Sequence, residues 1–491
     1  MKPSLSLMIL SLLLGACSHS TPMPPPGVAA PASWQSAHSL HHLQVSQQQW
    51  WQQFASPELD RLISQAQVGS HDLAAAMARV RQARSTAVIA GAPLLPQVQF
   101  GADASREKLL RGHGYSQLDA NDDNKALDSF GTRLNASYEV DFWGGKAAAH
   151  DSALQSLKAS EFDRDTVELT LLSGVASNYV QTLALDEQVR IARLNLANAH
   201  SVLDVVQTRH DAGSATALEL AQQKSLVASQ QRQVPRVEQQ TREARITLAV
   251  LLGQPVQNLT LGDTPFTRLH WPAIGGGLPS ELLSRRPDIA SAEAKLVAAR
   301  ADITVARAAM LPNLTLNASL GSGADHFSDV LRSPFYTLTA GLIAPIFNNG
   351  RLGAERDKAT ARQQELLQTY RASIISAFAD VEKALNSANG LDQQRQWQDE
   401  ELKQAQRAFD IAQDRYKAGA EMLLTVLETQ RTLYQAQDQY VQLRLARLQA
   451  SIALYKALGG GWGTYALDNS HATAPVAAAV GTRLRPSAKR S

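Results

Sequence analysis

Few residues in this chain have the types and spacing for chemistry. Its 491 residues include one cysteine, Cys17, so no intrachain disulfide can form. That thiol ends a short apolar run, Leu5 to Leu14 followed by Gly15-Ala16, where covalent modification of the sulfur is the chemistry to consider. His38, His41 and His42 cluster without a partner at metal-ligand spacing and read as surface histidines. His-Glu-x-x-His, P-loop, Gly-x-Ser-x-Gly and paired-cysteine patterns do not occur. Gly275-Gly276-Gly277 and Gly459-Gly460-Gly461 follow helical stretches and read as turns rather than phosphate cradles. Arg285-Arg286-Pro287-Asp288 reads as a helix start, with proline at the first position and an acid in the first turn, or equally as a buried ion pair. No metal, cofactor or catalytic site is expected, and an enzyme is the least supported class.

The elements that hold the remaining ionisable groups occur twice. Leu95-Pro96 and Leu311-Pro312 open β-like stretches 216 residues apart (312 − 96). Phe142-Trp143-Gly144-Gly145-Lys146 returns as Phe347-Asn348-Asn349-Gly350-Arg351 at an offset of 205 (350 − 145). Arg209-His210-Asp211-Ala212-Gly213 returns as Arg415-Tyr416-Lys417-Ala418-Gly419 at 206 (415 − 209), and Leu251-Leu252-Gly253 as Ala457-Leu458-Gly459, again at 206 (459 − 253). This period is too long for a solenoid unit and implies two copies of one large folding unit.

Each copy holds two segments that alternate apolar and polar. From Thr132 to Phe142, Leu134, Ala136, Tyr138, Val140 and Phe142 share one face. Arg133, Asn135, Ser137, Glu139 and Asp141 share the other. Gln97 to Ala104, Asn313 to Leu320 and Phe335 to Ile346 repeat the pattern, the last less cleanly. Such segments suit a half-buried soluble sheet or a transmembrane barrel, whose strands need about 9–11 residues. In a barrel, Arg133, Asn135, Glu139 and Asp141 suit a watery lumen. Four strands cannot close a barrel, because closure takes at least about eight. If these strands cross a membrane, several chains share one barrel.

Between the strand pairs the sequence reads as helix. Lys146 to His210 and Arg351 to Lys417 contain no proline, and at 1.5 Å per residue each could span roughly 100 Å. Leu366, Tyr370, Ile374, Phe378, Val381 and Leu385 form a packing stripe. Gly213 and Gly419 read as left-handed helix stops, with a return helix starting at once. Pro235 is expected to kink or break the first return helix.

Hydrophobic residues at 44% and charged residues at 19% fit neither a disordered chain nor a helical membrane protein. With 47 basic against 45 acidic residues and no basic patch, nucleic-acid binding has little support. Lys2 and the apolar run read as a secretion leader, and Leu14-Gly15-Ala16-Cys17 resembles a bacterial lipobox, so lipidation of Cys17 is expected. Ser18 after it resembles an outer-membrane address. Thr21 to Pro31 reads as an extended tether and the end of the chain as a disordered tail.

Several motifs in order carry a family resemblance: the lipobox, Trp50-Trp51-Gln52-Gln53-Phe54 with Pro57-Glu58-Leu59, and the run from Leu282 to Ile289 around Arg285-Arg286-Pro287-Asp288. Pro345-Ile346-Phe347 with Gly350-Arg351, Arg415-Tyr416-Lys417-Ala418-Gly419 and Ala457-Leu458-Gly459-Gly460-Gly461 complete the set. Over roughly residues 17–462 the chain resembles an outer-membrane efflux channel of the TolC type, in its NodT-like lipoprotein branch. The resemblance implies an internally duplicated α+β membrane protein. A long helical-hairpin tunnel would join four strands per chain in a twelve-stranded transmembrane β-barrel shared by a homotrimer. It implies a signal peptide over 1–16, a lipid-anchored tether and belt over 17–56 and a first repeat over 57–253. An equatorial linker over 254–279, a second repeat over 280–458 and a belt segment and tail over 459–491 would follow. It implies passive export of drugs or other small toxic compounds from periplasm to outside, in the outer membrane of a Gram-negative bacterium, with a periplasmic adaptor protein and an inner-membrane pump. Adaptor docking would fall at the tips, with Gly213, Gly419, Arg209 and Arg415. The constriction would fall near Glu428, Thr425 and Glu219, the last matching Thr425 in the first copy (425 − 206), with Arg415 or Lys417 as basic partners for Glu428. The alternatives are the duct of a type I protein-secreting system and a periplasmic coiled-coil structural or adaptor protein.

Overall fold

Helix start signals set the first elements of the computed structural model, which describes residues 27–36, 49–108, 126–272 and 277–460. Cys17, the histidine cluster, the leader and the tail lie outside these residues. Ser56 accepts from the Leu59 amide and Pro57 opens α1 (Pro57–Gly69). Ser70 caps α2 (His71–Gly91) in the same way. Strands β1 (Gln97–Glu107) and β2 (Leu127–Val140) follow, then α3 (Gly145–Asp211) and α4 (Ala217–Leu251). The second half gives α5 (Pro279–Arg285), α6 (Pro287–Ala308), β3 (Asn313–Ala324), β4 (Pro334–Ile343), α7 (Arg351–Lys417) and α8 (Leu423–Ala457).

The repetition is closer in the structure than in the motifs. Helices α3 and α7 each have 67 residues, α4 and α8 each have 35, and every boundary differs by 206 (351 − 145, 423 − 217). Gly144 and Gly350, at φ 69° and 80°, are the true equivalents before the long helices, which turns the expected offset of 205 into 206 (350 − 144). Of the kink or break expected at Pro235, the break is corrected: α4 runs unbroken across it.

The long helices pack side by side in the order α4, α3, α8, α7 toward the tips. Toward the sheet, the shorter α2 and α6 replace the return helices, in the order α2, α3, α6, α7. Short side chains allow this close approach; Ala176, Ala184, Ala377 and Ala384 are all buried. The expected stripe is present, with Tyr370, Ile374, Val381 and Leu385 buried.

The main core lies at mid-length. Trp50 stacks on Tyr455 at 5.0 Å, and Phe54, Leu59, Leu62 and Tyr179 are fully buried around it. Two irregular segments wrap this level. The Trp34 indole donates to the Gly277 carbonyl (3.0 Å), and the Gln35 and Ser36 amides donate to Glu382 on α7. Arg444 of α8 lies over Trp271 at 4.7 Å and donates to the carbonyls of Thr267 and Leu269. Among the described residues, no helix is long and apolar enough to cross a membrane.

Candidate functional site: the strand sheet and the hairpin tips

Sequence alternation fixes each strand's two faces, and register decides whether the faces coincide. Here they do. The four strands form one antiparallel sheet in the order β1-β2-β3-β4. Phe100, Leu134, Leu320 and Tyr336 lie in one row across it. Gln99, Asn135, Ser319 and Thr337 form the adjacent row on the opposite face. The apolar row is exposed, with Phe100 at 72% and Tyr336 at 77%. A one-residue slip of any strand would mix the faces. Among the described residues, strands β1 and β4 each keep an unpaired edge, which a soluble protein would cover or blunt.

Of the expected lumen residues, Arg133, Asn135 and Glu139 share the polar face. Arg133 lies 6.0 Å from the Phe335 ring, and Glu139 pairs with Lys146 of α3 at 3.0 Å. Asp141 is corrected. The strand ends at Val140, and the Asp141 carboxylate accepts from the Lys146 and Ala147 amides (3.0 and 2.8 Å). It satisfies free donors at the start of α3, where a negative charge also suits the helix dipole. The second copy uses Asn348, whose side-chain oxygen accepts from the Leu352 amide.

At the far end, both tips close as left-handed turns. Gly213 and Gly419 have φ of 76° and 80°. The amides of Ser214 and Ala420 donate to the carbonyls of Arg209 and Arg415 (2.7 and 2.8 Å). The return helices therefore start a few residues later than expected, at Ala217 and Leu423. Arg209 links the tips: its guanidinium lies 4.6 Å from the Tyr416 ring and donates to the Tyr416 carbonyl.

The expected constriction residues have different local partners. Glu219 reaches back to the Thr216 amide (2.6 Å) while the Thr216 hydroxyl accepts from the Glu219 amide, a reciprocal cap. The Thr216-x-x-Glu219 spacing carries that signal in the sequence. Thr425 donates to Glu421, which also pairs with Arg415 at 3.5 Å. Within the chain Lys417 pairs with Asp414, and neither Arg415 nor Lys417 pairs with Glu428 among the described residues. Glu428 is exposed on the wall of a groove of about 880 Å³ between α4 and α8, with α3 as its floor. Gln222, Arg431 and Asp438 share that groove. Burial raises the Asp438 carboxyl above its ordinary range, against the opposing effects of Arg236 and Gln188.

The sequence profile of the outer membrane efflux protein family matches residues 62–254 and 278–460. The chain belongs to that family. It is an outer-membrane efflux channel. It is 64% identical over 460 residues to the pyoverdine export outer membrane protein OpmQ of Pseudomonas aeruginosa, covering 94% of this chain and 97% of that protein. It is 31% identical to the cation efflux system protein CusC of Escherichia coli, covering 84% and 88%. The solved outer-membrane channel OprN has the same fold, with a TM-score of 0.83, 26% identity and coverage of 90% and 99%. The helices and the four-stranded sheet fit the helical tunnel and barrel strands of such channels, which span the periplasm and the outer membrane.

Proposed function

We propose that this protein is the trimeric exit duct of a tripartite export assembly and that its cargo is a siderophore of the pyoverdine kind. The observation that carries the trimer is the sheet, whose in-phase faces and two free edges leave it incomplete. Joining β4 of one copy to β1 of the next keeps the antiparallel alternation, and three copies supply twelve strands, above the closure minimum of about eight. The cargo rests on the likeness to two Pseudomonas pyoverdine export proteins, at 64% and 60% identity. Deleting the gene in its host tests it: secreted siderophore should fall while periplasmic siderophore rises. A second reading, export of drugs or other small toxic compounds, is favoured by more distant relatives named for toluene and solvent efflux. Unchanged siderophore secretion with raised drug sensitivity would replace the first reading by the second.

The adaptor and the inner-membrane pump meet the duct from the periplasm, with the hairpin tips as the docking surface. An added Cβ at Gly213 or Gly419 meets no neighbouring atom, so substitution acts through the backbone alone, at roughly 1–2 kcal/mol per tip. The Gly213→Val/Gly419→Val protein should keep its trimer but lose crosslinking to the adaptor; undiminished crosslinking would place docking elsewhere. Glu428 is the gate residue in this reading, presented three times around one axis. Glu428→Ala should lower cation selectivity and alter resting conductance in planar bilayers, and identical recordings would make it an ordinary solvated helix charge. Cys17 carries lipid at the mature N-terminus, which intact-mass spectrometry would register as loss of residues 1–16 plus acyl mass.

A further inference from the structure

Among the described residues, the packing order leaves two helical flanks without a helix partner. Helix α3 is covered by α4 on one side and by α8 on the other, and α8 likewise by α3 and α7. Helices α4 and α7 stand at the ends of the row, each with a bare flank. Because α7 repeats α3 and α8 repeats α4 at an offset of 206, the α3–α8 contact inside the chain is a template. Its counterpart is α7 against α4 of another copy.

In the template, Ile191 of α3 packs against the core cluster that includes Val441 of α8. Gln188 donates to Asp438 (3.0 Å), and the Tyr434 hydroxyl donates to the Asn195 carbonyl (2.8 Å). Moved by 206, Ile191 becomes Trp397 and Asn195 becomes Glu401 (191 + 206, 195 + 206). Val441 becomes Pro235 and Asp438 becomes Arg232 (441 − 206, 438 − 206). Gln430, buried beside Tyr434, becomes Lys224 (430 − 206).

Every one of these counterparts is exposed in the single chain, although its template position is at least half buried or hydrogen-bonded. Trp397 is 72% exposed, while Trp34, Trp50 and Trp51 are buried. Pro235 lies inside an exposed helix, where lost hydrogen bonding and ring clash cost about 3 kcal/mol. Its ring offers a flat apolar surface beside Arg232, about one turn from the level of Trp397. The charges also complement each other: Glu400 and Glu401 on the α7 flank against Lys224 and Arg232 on the α4 flank, all exposed.

We infer that Trp397 of one subunit packs on Pro235 of the neighbouring subunit, with the Arg232 guanidinium over the indole and Lys224 facing Glu401. This seam joins α7 to the next copy's α4 below the equator. The contact is head-to-tail, as a closed ring requires, and Trp and Arg are the residue types that dominate interface energetics. It rests on the trimeric reading above.

The test uses the full-length protein in detergent, with Trp397→Cys and Pro235→Cys combined. Oxidation, and in parallel a bis-maleimide that relaxes the disulfide geometry, should move most chains to two and three chain masses on a denaturing gel. The single-cysteine variants, which retain Cys17, should stay at one. Light scattering on the same samples separates the two claims. A trimer without crosslinked chains overturns the seam and leaves the shared barrel standing. A monomer overturns the trimer and the seam with it.

Discussion

Arginine at Leu320 should abolish assembly in the outer membrane, whereas arginine at the adjacent Ser319 should leave it nearly intact. Leu320 stands mid-strand in the apolar row with Phe100, Leu134 and Tyr336. Ser319 stands in the polar row with Gln99, Asn135 and Thr337. An arginine on the lipid face near the midplane costs about 2–4 kcal/mol, so three copies cost roughly 6–12 kcal/mol per barrel. That approaches the whole stability of an ordinary domain, about 5–15 kcal/mol. On the polar face the same side chain stays hydrated. Outer-membrane fractionation with heat-modifiability gels would report both variants, and equal assembly of the two would refute the assignment of the faces.

The second large effect is expected at Arg286. Its guanidinium, only 12% exposed, pairs with Asp288 (2.7 Å) and Asp380 (3.0 Å) and donates to the Ala457 carbonyl at the end of α8. One side chain therefore ties the start of α6 to α7 and α8, and both readings of the Arg285-Arg286-Pro287-Asp288 motif hold at once. Arg286→Ala would leave two carboxylates facing each other and a carbonyl without its donor. Removing one partner of a buried pair costs about 3–5 kcal/mol, and the half-exposed carboxylates bring the expectation down to about 2 kcal/mol. The midpoint of thermal unfolding should fall by several degrees. Burial opposes ionisation of Asp288, but the Arg286 hydrogen bond and charge outweigh it and hold the carboxyl below its ordinary range. A depressed folded pKa stabilises above the unfolded value and is lost as pH falls through the folded one. The wild type should therefore lose this contribution only below about pH 4, while Arg286→Ala lacks it at neutral pH. An unfolding midpoint unchanged by the substitution at pH 7 would refute the role given to this network.

Local periodicity makes much of the protein legible in its sequence. Alternation marks all four strands, missing proline marks both long helices, and the repeated Arg-to-Gly motifs mark the tips. These features are written in residues a few positions apart, so one chain segment suffices to read them. The same locality explains the errors. Asp141 continues the polar phase of β2 by position, but the strand has ended and its carboxylate serves α3. Glu219 is singled out by its place in the repeat, while its bond to Thr216 three residues earlier, a helix cap, goes unread. Pro235 violates helix propensity, and packing of its neighbours Val237, Thr241 and Ala244 carries α4 across it.

By itself, the sequence determined the element types, the two-fold repetition and which side chains share each strand face, because backbone geometry sets those within a single segment. Only the tertiary structure decided that the two strand pairs join through β2 and β3, residues near 134 against residues near 320, with all four apolar faces in phase. It alone decided that α3 lies between α4 and α8, leaving Trp397 and Pro235 on bare flanks. Those outcomes depend on which surfaces meet across some two hundred residues of chain, and no local pattern encodes a partner that far away.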